Sequence, residues 1–283
     1  MDKVELEARA KINLTLDVLY KRPDGYHEVE MIMQTISLKD RIVITLLPGR
    51  DIRIVNSCRE LPDGEDNLAF KAAKLMMDEF GLDAGVEIKL FKEIPIAAGL
   101  AGGSADAAAV LEGLNELFGL RLSKEALMRL GERIGADVPF CSMGGTALAR
   151  GKGEQLTPLP PVPPMSLLLV KPPFAVSTKE VYSRLNIKSI KKRPDTEAVI
   201  KSIEKGDVDG ISQGLCNVLE EVTFAQHPEL EIIKAWLVER GALGSLMSGS
   251  GPTVYGIFEN RRDAERAAVS VPPGCRIFIT QVD

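Results

Sequence analysis

The stretch Glu93-Ile94-Pro95-Ile96-Ala97-Ala98-Gly99-Leu100-Ala101-Gly102-Gly103-Ser104-Ala105-Asp106-Ala107-Ala108-Ala109-Val110-Leu111 lies between two unlike patterns. Before it, Val86, Ile88 and Leu90 alternate with Glu87, Lys89 and Phe91, the period-two signature of a strand with one buried face. After it, Ala107 to Leu117 is rich in alanine and leucine and free of proline, which reads as a buried helix. The order is strand, glycine-rich loop, helix. Such a loop has a chemical use. Gly99, Gly102 and Gly103 let the backbone take positive φ and approach a ligand closely, while the first helical turn offers N–H groups at the positive end of its dipole. A phosphate group fits there. It is not a Walker A loop, because no Lys-Ser or Lys-Thr pair follows the glycines, and it does not spell the Gly-x-Gly-x-x-Gly of a dinucleotide fold. The bland alternative is a flexible loop ending in a well-packed alanine-rich helix, and this stretch by itself leaves both open.

The chain of 283 residues is long enough for one large or two medium domains, and 45% hydrophobic with 27% charged residues is the composition of an ordinary globular protein. Disordered and fibrous classes are excluded. A net charge of -5 argues against a nucleic-acid surface while leaving room for a local basic pocket. Met1-Asp2-Lys3-Val4-Glu5 lacks the apolar core of a signal peptide and no apolar run approaches a membrane span, so the expected location is cytoplasmic, with no membrane partner. Cys58, Cys141, Cys216 and Cys275 are scattered without a Cys-x-x-Cys pair and read as small reduced core residues. No cluster of acidic ligands marks a dedicated metal cage.

From Lys11 to Val18 apolar and polar residues alternate, which makes Lys11 and Asn13 neighbours on the polar face of a strand; taken alone, such residues are usually solvated. Pro23-Asp24-Gly25 signals a turn with Tyr26 and His27 at its exit. Strands are expected over Glu30–Leu38 and Arg41–Leu47, a helix capped by Asp66 or Asn67 up to Phe80, and another from Ser123 to Gly135. Asp137 then lies between that glycine and Pro139, in position for a helix N-cap. The cluster Pro158 to Pro164 reads as a stiff connector, dividing a domain over 1–157 from one over 165–283. Beyond it, Ser177 to Glu180 is a capping box, 187–194 a solvated basic segment, and helices are expected at 196–204, 208–222 and 228–240. With the extra helices set aside, the strand and helix order is βαββαβ, a ferredoxin-like sandwich. Gly249, Ser250 and Gly251 form a second glycine loop between two apolar strands.

Arg22-Pro23-Asp24-Gly25-Tyr26-His27, Gly99 to Ser104, Gly135-Ala136-Asp137-Val138-Pro139-Phe140 and Gly249-Ser250-Gly251-Pro252-Thr253, with Lys11 on its strand, resemble the motifs of the GHMP kinases over essentially the whole chain and in the same order. The Asp-Gly-Tyr-His turn is similar to that of members acting on a cytidine diphosphate-linked methylerythritol, since mevalonate, homoserine and galactose kinases share the glycine loops but not this turn. The resemblance implies an α+β, two-domain GHMP kinase fold, with an N-terminal α/β domain and a C-terminal ferredoxin-like α/β sandwich carrying extra helices. It implies ATP-dependent phosphorylation of the 2-hydroxyl of the methylerythritol unit, in the non-mevalonate route to isoprenoid precursors, with Mg2+ carried by ATP. Another small-molecule kinase of the superfamily, for homoserine or mevalonate, is the alternative. A nucleotide-binding regulatory protein without turnover is the rival from another class, and intact Lys11 and Asp137 stand against it.

By that resemblance Lys11 and Asp137 match the catalytic pair, Asp137 accepting the hydroxyl proton and Lys11 pairing with it and steadying charge on the transferring group. Pro95 to Ala105 match the ATP-phosphate loop, and Asn67 and Lys92 match residues lining the nucleotide site. Asn13, Tyr26 and His27 match positions that hold the cytidine substrate, and Thr178 and Tyr182 match residues at its cytosine end. The second glycine loop is expected to face the phosphate loop across an interdomain cleft. Ala105 departs from the family, which commonly has a second hydroxyl there; weaker ATP binding is the expected result. A monomer or weak homodimer is expected.

Overall fold

The computed structural model describes residues 2–58 and 60–282. In chain order these form β1 (Lys3–Lys21), β2 (His27–Leu47), β3 (Ile52–Asn56), α1 (Leu68–Phe80), β4 (Gly85–Phe91), α2 (Gly102–Leu117), α3 (Lys124–Glu132) and α4 (Val138–Met143). Then come β5 (Thr146–Arg150), β6 (Gln155–Pro158), β7 (Ser166–Lys171), α5 (Thr178–Arg184), α6 (Thr196–Lys205), α7 (Val208–Gln213) and β8 (Cys216–Asn217). The chain closes with α8 (Glu220–Gln226), α9 (Glu229–Glu239), β9 (Gly244–Met247), β10 (Val254–Phe258), α10 (Arg261–Ala267) and β11 (Arg276–Gln281). No helix among the described residues is long and apolar enough to cross a membrane.

Two compact units divide the chain: Met1–Ala10, Leu38–Ile96 and Ala101–Gly144 form one, and Lys11–Ser37, Ala97–Leu100 and Gly145–Asp283 the other. They interleave in sequence because β1 and β2 each run through both. The proline-rich stretch 158–164 lies wholly within the second unit.

In the first unit, β2 pairs antiparallel with β4 in the register Ile44 to Ile88, and β4 pairs parallel with β3, Ile88 opposite Ile54. Against these strands pack α1 and α2, whose inward residues Ala72, Met76, Ala107 and Leu111 join Ile42, Ile44 and Ile88 in one apolar cluster. Alanine at so many contact positions lets α2 come close, and at Gly113 even a methyl would meet Ile44 Cδ1 at 2.6 Å and Leu6 Cδ1 at 2.7 Å. α1 is bounded as its sequence implies: Asn67 Oδ1 accepts from the Ala69 N–H at 2.9 Å, and Gly81 closes the helix at φ 59°.

In the second unit, β5 adds to β2 from Met31 to Gln34, β6 adds to β5, and β8 lies parallel to β1 at Thr15 and Leu16. The C-terminal strands form their own antiparallel sheet in the order β11-β7-β10-β9, the ferredoxin-like arrangement expected from the βαββαβ order.

Several expectations need correction. β2 is one strand, not two, because Asp40, ordinarily unsuited to a strand, finds the N–H groups of Glu93 and Ile94 for its carboxylate, at 2.6 and 2.9 Å. The expected helix over 208–222 is broken at Gly214, beyond which Cys216 and Asn217 pair with β1. The helix from Ser123 stops at Glu132 rather than running to Gly135, and α4 starts at Val138, directly after the cap position expected at Asp137. The segment 187–194 is not merely solvated, since Arg193 Nη1 donates to Asp17 Oδ1 at 2.5 Å and to Val18 O at 3.1 Å. Of the four cysteines Cys216 is buried, whereas Cys58, Cys141 and Cys275 are half-buried.

Replacing Leu114, fully buried on α2, by alanine should cost about 2–5 kcal/mol, whereas Glu112→Ala on the exposed side of that helix should stay within about 0.5 kcal/mol. Urea unfolding checks this through a lower midpoint at unchanged slope.

Candidate active site

The phosphate-loop stretch leaves β4 through Lys92 in the first unit, passes through Ala97–Leu100 of the second and re-enters regular structure at α2. Positive φ falls on Gly99 at 77°, but also on Ala97 at 48° and Ala101 at 57°. Gly102 and Gly103 are helical, which corrects the expectation that they supply loop conformations. Gly102 is there for close approach instead: a Cβ would stand 2.9 Å from Ile94 Cγ2. The helix thus begins five residues earlier than its alanine run suggests. Its cap residue Ala101 has no side chain to offer the opening amides, so the N–H groups of Gly102, Gly103 and Ser104 remain for another acceptor. Ser104 is half-buried among them. Ala105 is 2% exposed and belongs to the apolar cluster, its N–H already donated to Ala101 O at 2.9 Å, so it presents no side-chain group to a ligand.

Lys92 and Asn67, expected beside the nucleotide, are engaged within the protein. Lys92 Nζ lies between two carboxylates, donating to Asp106 Oδ2 at 2.6 Å and to Asp40 Oδ2. Asn67 caps α1 with its oxygen and donates from Nδ2 to Pro62 O at 2.9 Å. Asp137 is half-buried at the cap position of α4, yet its side chain does not cap the helix, so the N-cap reading holds for position and not for chemistry.

In the second unit the polar face of β1 is buried, which overturns the solvated reading of such residues: Lys11 is 4% and Asn13 0% exposed. Asn13 organises the surroundings. Its Oδ1 accepts from Lys11 Nζ at 2.9 Å and from the Gly249 N–H at 3.0 Å, and its backbone oxygen accepts from Tyr255 Oη at 2.8 Å. The second glycine loop is held from below by Asn217, whose Nδ2 donates to Met247 O at 2.8 Å and Gly249 O at 2.7 Å. Within this unit the two glycine loops touch. Ser248 Oγ donates to Gly99 O at 2.9 Å and the Thr253 N–H to Ala98 O at 3.4 Å, while the Lys11 N–H donates to Leu100 O at 3.1 Å, so Ala98 and Gly99 meet the second glycine loop and Leu100 meets β1. A Cβ on Gly99 would lie 2.1 Å from Ser248 O.

Of the expected substrate contacts, His27 and Tyr182 stand together, their ring centroids 5.2 Å apart and tilted by 40°. Tyr26 is 60% exposed with Lys152 Nζ 5.2 Å above its ring. Thr178 Oγ1 and Ser250 Oγ share a hydrogen bond of 2.8 Å, which brings the start of α5 to the second glycine loop. Burial first, and then the charge of Lys21, lower the pKa of His27, so its imidazole is neutral at pH 7 and offers one donor and one acceptor.

Sequence reasoning missed Asp40, Asp106, Asn217, Ser248 and Tyr255. Asp106 carried a signal, as the one charged residue between Glu93 and Glu112 in a run of small apolar ones. The others looked like ordinary strand or loop residues, and only folding brings them to the glycine loops.

Residues 67–145 match the family model described as GHMP kinases N terminal domain, and 199–273 that described as GHMP kinases C terminal. A protein of Lachnoclostridium phytofermentans named 4-diphosphocytidyl-2-C-methyl-D-erythritol kinase is 51% identical over 284 residues, covering 99% of this chain and 98% of its own. A crystal structure of a 4-(cytidine 5'-diphospho)-2C-methyl-D-erythritol kinase superposes with a TM-score of 0.85 at 35% identity, covering 99% of both chains. The homoserine kinase of Cytophaga hutchinsonii, at 20% identity and a TM-score of 0.78 over 100% of this chain and 95% of its own, shares the fold.

Gly99→Ala should destabilise the protein by about 1–3 kcal/mol or more, since the methyl would strike a backbone carbonyl at a left-handed residue. Thermal unfolding of that variant, set against Gly103→Ala where the nearest atom would be 3.5 Å away, checks it. In an NMR titration the His27 midpoint should fall below 6.5 and rise towards it in Lys21→Ala.

Proposed function

The chain belongs to the GHMP kinases, in the family of the 4-diphosphocytidyl-2-C-methyl-D-erythritol kinases, and we propose that it carries out their reaction, ATP-dependent phosphorylation of the 2-hydroxyl of 4-diphosphocytidyl-2-C-methyl-D-erythritol. The products are the 2-phosphate and ADP, and the reaction belongs to the non-mevalonate route to isoprenoid precursors. The observation that carries this reading is 51% identity, over 99% of the chain, to a kinase of that name. The alternatives of a homoserine or mevalonate kinase rest on fold alone.

In this reaction the alcohol oxygen bonds to the γ-phosphorus, the bond to the bridging oxygen of ADP breaks, and the alcohol proton must leave. Phosphoryl transfer is loose, so positioning and charge stabilisation count for more than base strength. Asp137 takes the proton and Lys11 steadies charge on the transferring group. The burial of Lys11 and its bond to Asn13 support this, because they hold the ammonium in one place. The loop from Pro95 to Ala105 holds the phosphates with the open amides of α2 and the Ser104 hydroxyl. Asn67 and Lys92 act on the nucleotide through the shape of the loop's surroundings, since their side chains are committed to protein partners.

Asn13, Tyr26, His27, Thr178 and Tyr182 bind the cytidine substrate, His27 and Tyr182 offering adjacent ring faces for a base. Magnesium accompanies ATP and neutralises phosphate charge. The donors that suit it are phosphate oxygens together with Ser104, because among the described residues no three His, Cys, Asp or Glu side chains gather. The division of labour follows the chain, 1–157 carrying Lys11, Asp137 and the phosphate loop and 165–283 carrying Thr178 and Tyr182, joined by 158–164. A cytoplasmic monomer or weak homodimer, without nucleic-acid or membrane partners, completes the proposal.

The test is ADP release with ATP and magnesium, comparing the cytidine compound with mevalonate, homoserine and galactose. Turnover is expected with the cytidine compound alone, and Asp137→Asn and Lys11→Met should each lower kcat by about 10²-fold or more. Turnover with another alcohol overturns the substrate, and near-normal kcat in Asp137→Asn overturns the base. For Tyr182→Ala the expected change is a higher KM for the cytidine compound at nearly unchanged kcat.

A further inference from the structure

Asn217 is 3% exposed, and both ends of its carboxamide are engaged. Nδ2 donates to Met247 O at 2.8 Å and to Gly249 O at 2.7 Å, and Oδ1 accepts from the Leu219 N–H at 3.0 Å. Because the nitrogen faces two carbonyls and the oxygen an amide hydrogen, the carboxamide fits in one orientation only. Its backbone is tied to a different element. Asn217 stands opposite Leu16 in the parallel pairing of β8 with β1, and the next residue, Val218, donates its N–H to Leu16 O at 3.0 Å. One residue therefore fixes the second glycine loop relative to β1, the strand that carries Lys11 and Asn13.

The loop end of this tie is Gly249. Its carbonyl is held by Asn217 and its N–H by Asn13 Oδ1 at 3.0 Å, so one residue is strung between two buried carboxamides. Asn13 Oδ1 also accepts from Lys11 Nζ at 2.9 Å, which uses both of its lone pairs. We propose that Asn217 is a positioning residue for Lys11, acting through Gly249 and Asn13 to hold the ammonium where charge develops on the transferring group. This rests on the reading of Lys11 as the group that steadies that charge. Without Asn217, two buried carbonyls lose their donor and the loop moves to find others, taking the Gly249 N–H away from Asn13. The Asn13 carboxamide is then free to turn about its last side-chain bond, a soft torsion, and the ammonium follows its oxygen. Phosphoryl transfer is sensitive to such a change, since a misplacement of about 1 Å can cost about 10²-fold in rate. Glu220 offers a contrast. Its Oε1 accepts from the Met247 N–H at 2.9 Å and its Oε2 from Lys234 Nζ at 2.5 Å, so it holds the end of β9 without touching the loop carbonyls.

The experiment measures kcat, and KM for ATP, at saturating cytidine compound in the wild type, Asn217→Ser, Lys11→Met, the double variant and Glu220→Gln, with melting temperatures alongside. Asn217→Ser keeps a short acceptor for the Leu219 N–H but cannot reach the loop carbonyls. Its kcat should fall by about tenfold while KM for ATP changes by less than about twofold. In the Lys11→Met background the same substitution should cost less than about twofold more, because the ammonium it serves is gone. A purely structural role would lower kcat by the same factor in both backgrounds. Glu220→Gln keeps an acceptor for Met247 and gives up the charge facing Lys234, so it should lower the melting temperature and leave kcat within about twofold of wild type. A further measurement needs no variant: hydrogen exchange of the wild-type protein should find the Gly249 amide strongly protected. Wild-type kcat in Asn217→Ser, additive losses in the double variant, a loss in Glu220→Gln as large as in Asn217→Ser, or rapid exchange at Gly249 each overturns the inference. If Asn217→Ser does not fold, the exchange at Gly249 decides. Near-normal kcat in Lys11→Met overturns the role of Lys11 and this inference with it, and a wild type that does not turn over the cytidine compound overturns the kinase reading instead.

Discussion

A carboxamide oxygen with no access to water must be given donors by the protein, and Asn13 is the place where that requirement shapes the second unit. Its Oδ1 receives the Lys11 ammonium and the Gly249 amide, so one buried atom fixes a strand lysine and a glycine loop some two hundred residues later in the chain. Asn217 completes the arrangement from the other side by donating to two carbonyls of the same loop. The loop can then be rich in glycine without being loose.

Close backbone approach is the second constraint, and it explains where glycine is indispensable. Gly99 faces a carbonyl oxygen at a distance that no side chain tolerates, and Gly102 faces Ile94. The two glycines serve different ends, one a left-handed turn and the other helix packing. Ala97 and Ala101 take the remaining left-handed positions at a steric cost that the surrounding contacts must offset. What this yields is a set of helix-start amides without a capping side chain, beside a serine hydroxyl, which is the arrangement that suits a phosphate group.

Charge is handled differently in the two units. In the second, Lys11 is buried and donates to the neutral carboxamide of Asn13. In the first, Lys92 is shared between the carboxylates of Asp40 and Asp106, which turns a cation into a structural tie. Two lysines that look alike in sequence thereby have unlike partners.

Strand, glycine loop and alanine-rich helix around Gly99, the caps at Asn67 and Ser177, and the βαββαβ order of the C-terminal half were legible in the sequence alone, because periodicity, capping chemistry and turn residues act over a few neighbours. The GHMP kinase motifs were legible too, as short strings in a particular order. The burial of Lys11 and Asn13 was not, since a strand's polar face looks the same in sequence whether water or another strand covers it. Nor was the break at Gly214, which depends on Cys216 and Asn217 finding β1, or the continuity of β2, which depends on Asp40 finding two amides from residues 93 and 94. Local pattern thus determined the elements and the family they announce. Tertiary structure alone decided which polar groups lost their water, and with it which lysine lies between two carboxylates, which donates to a neutral amide and which carboxyl burial pushes up to about 7, because desolvation and pairing are properties of residues far apart in the chain.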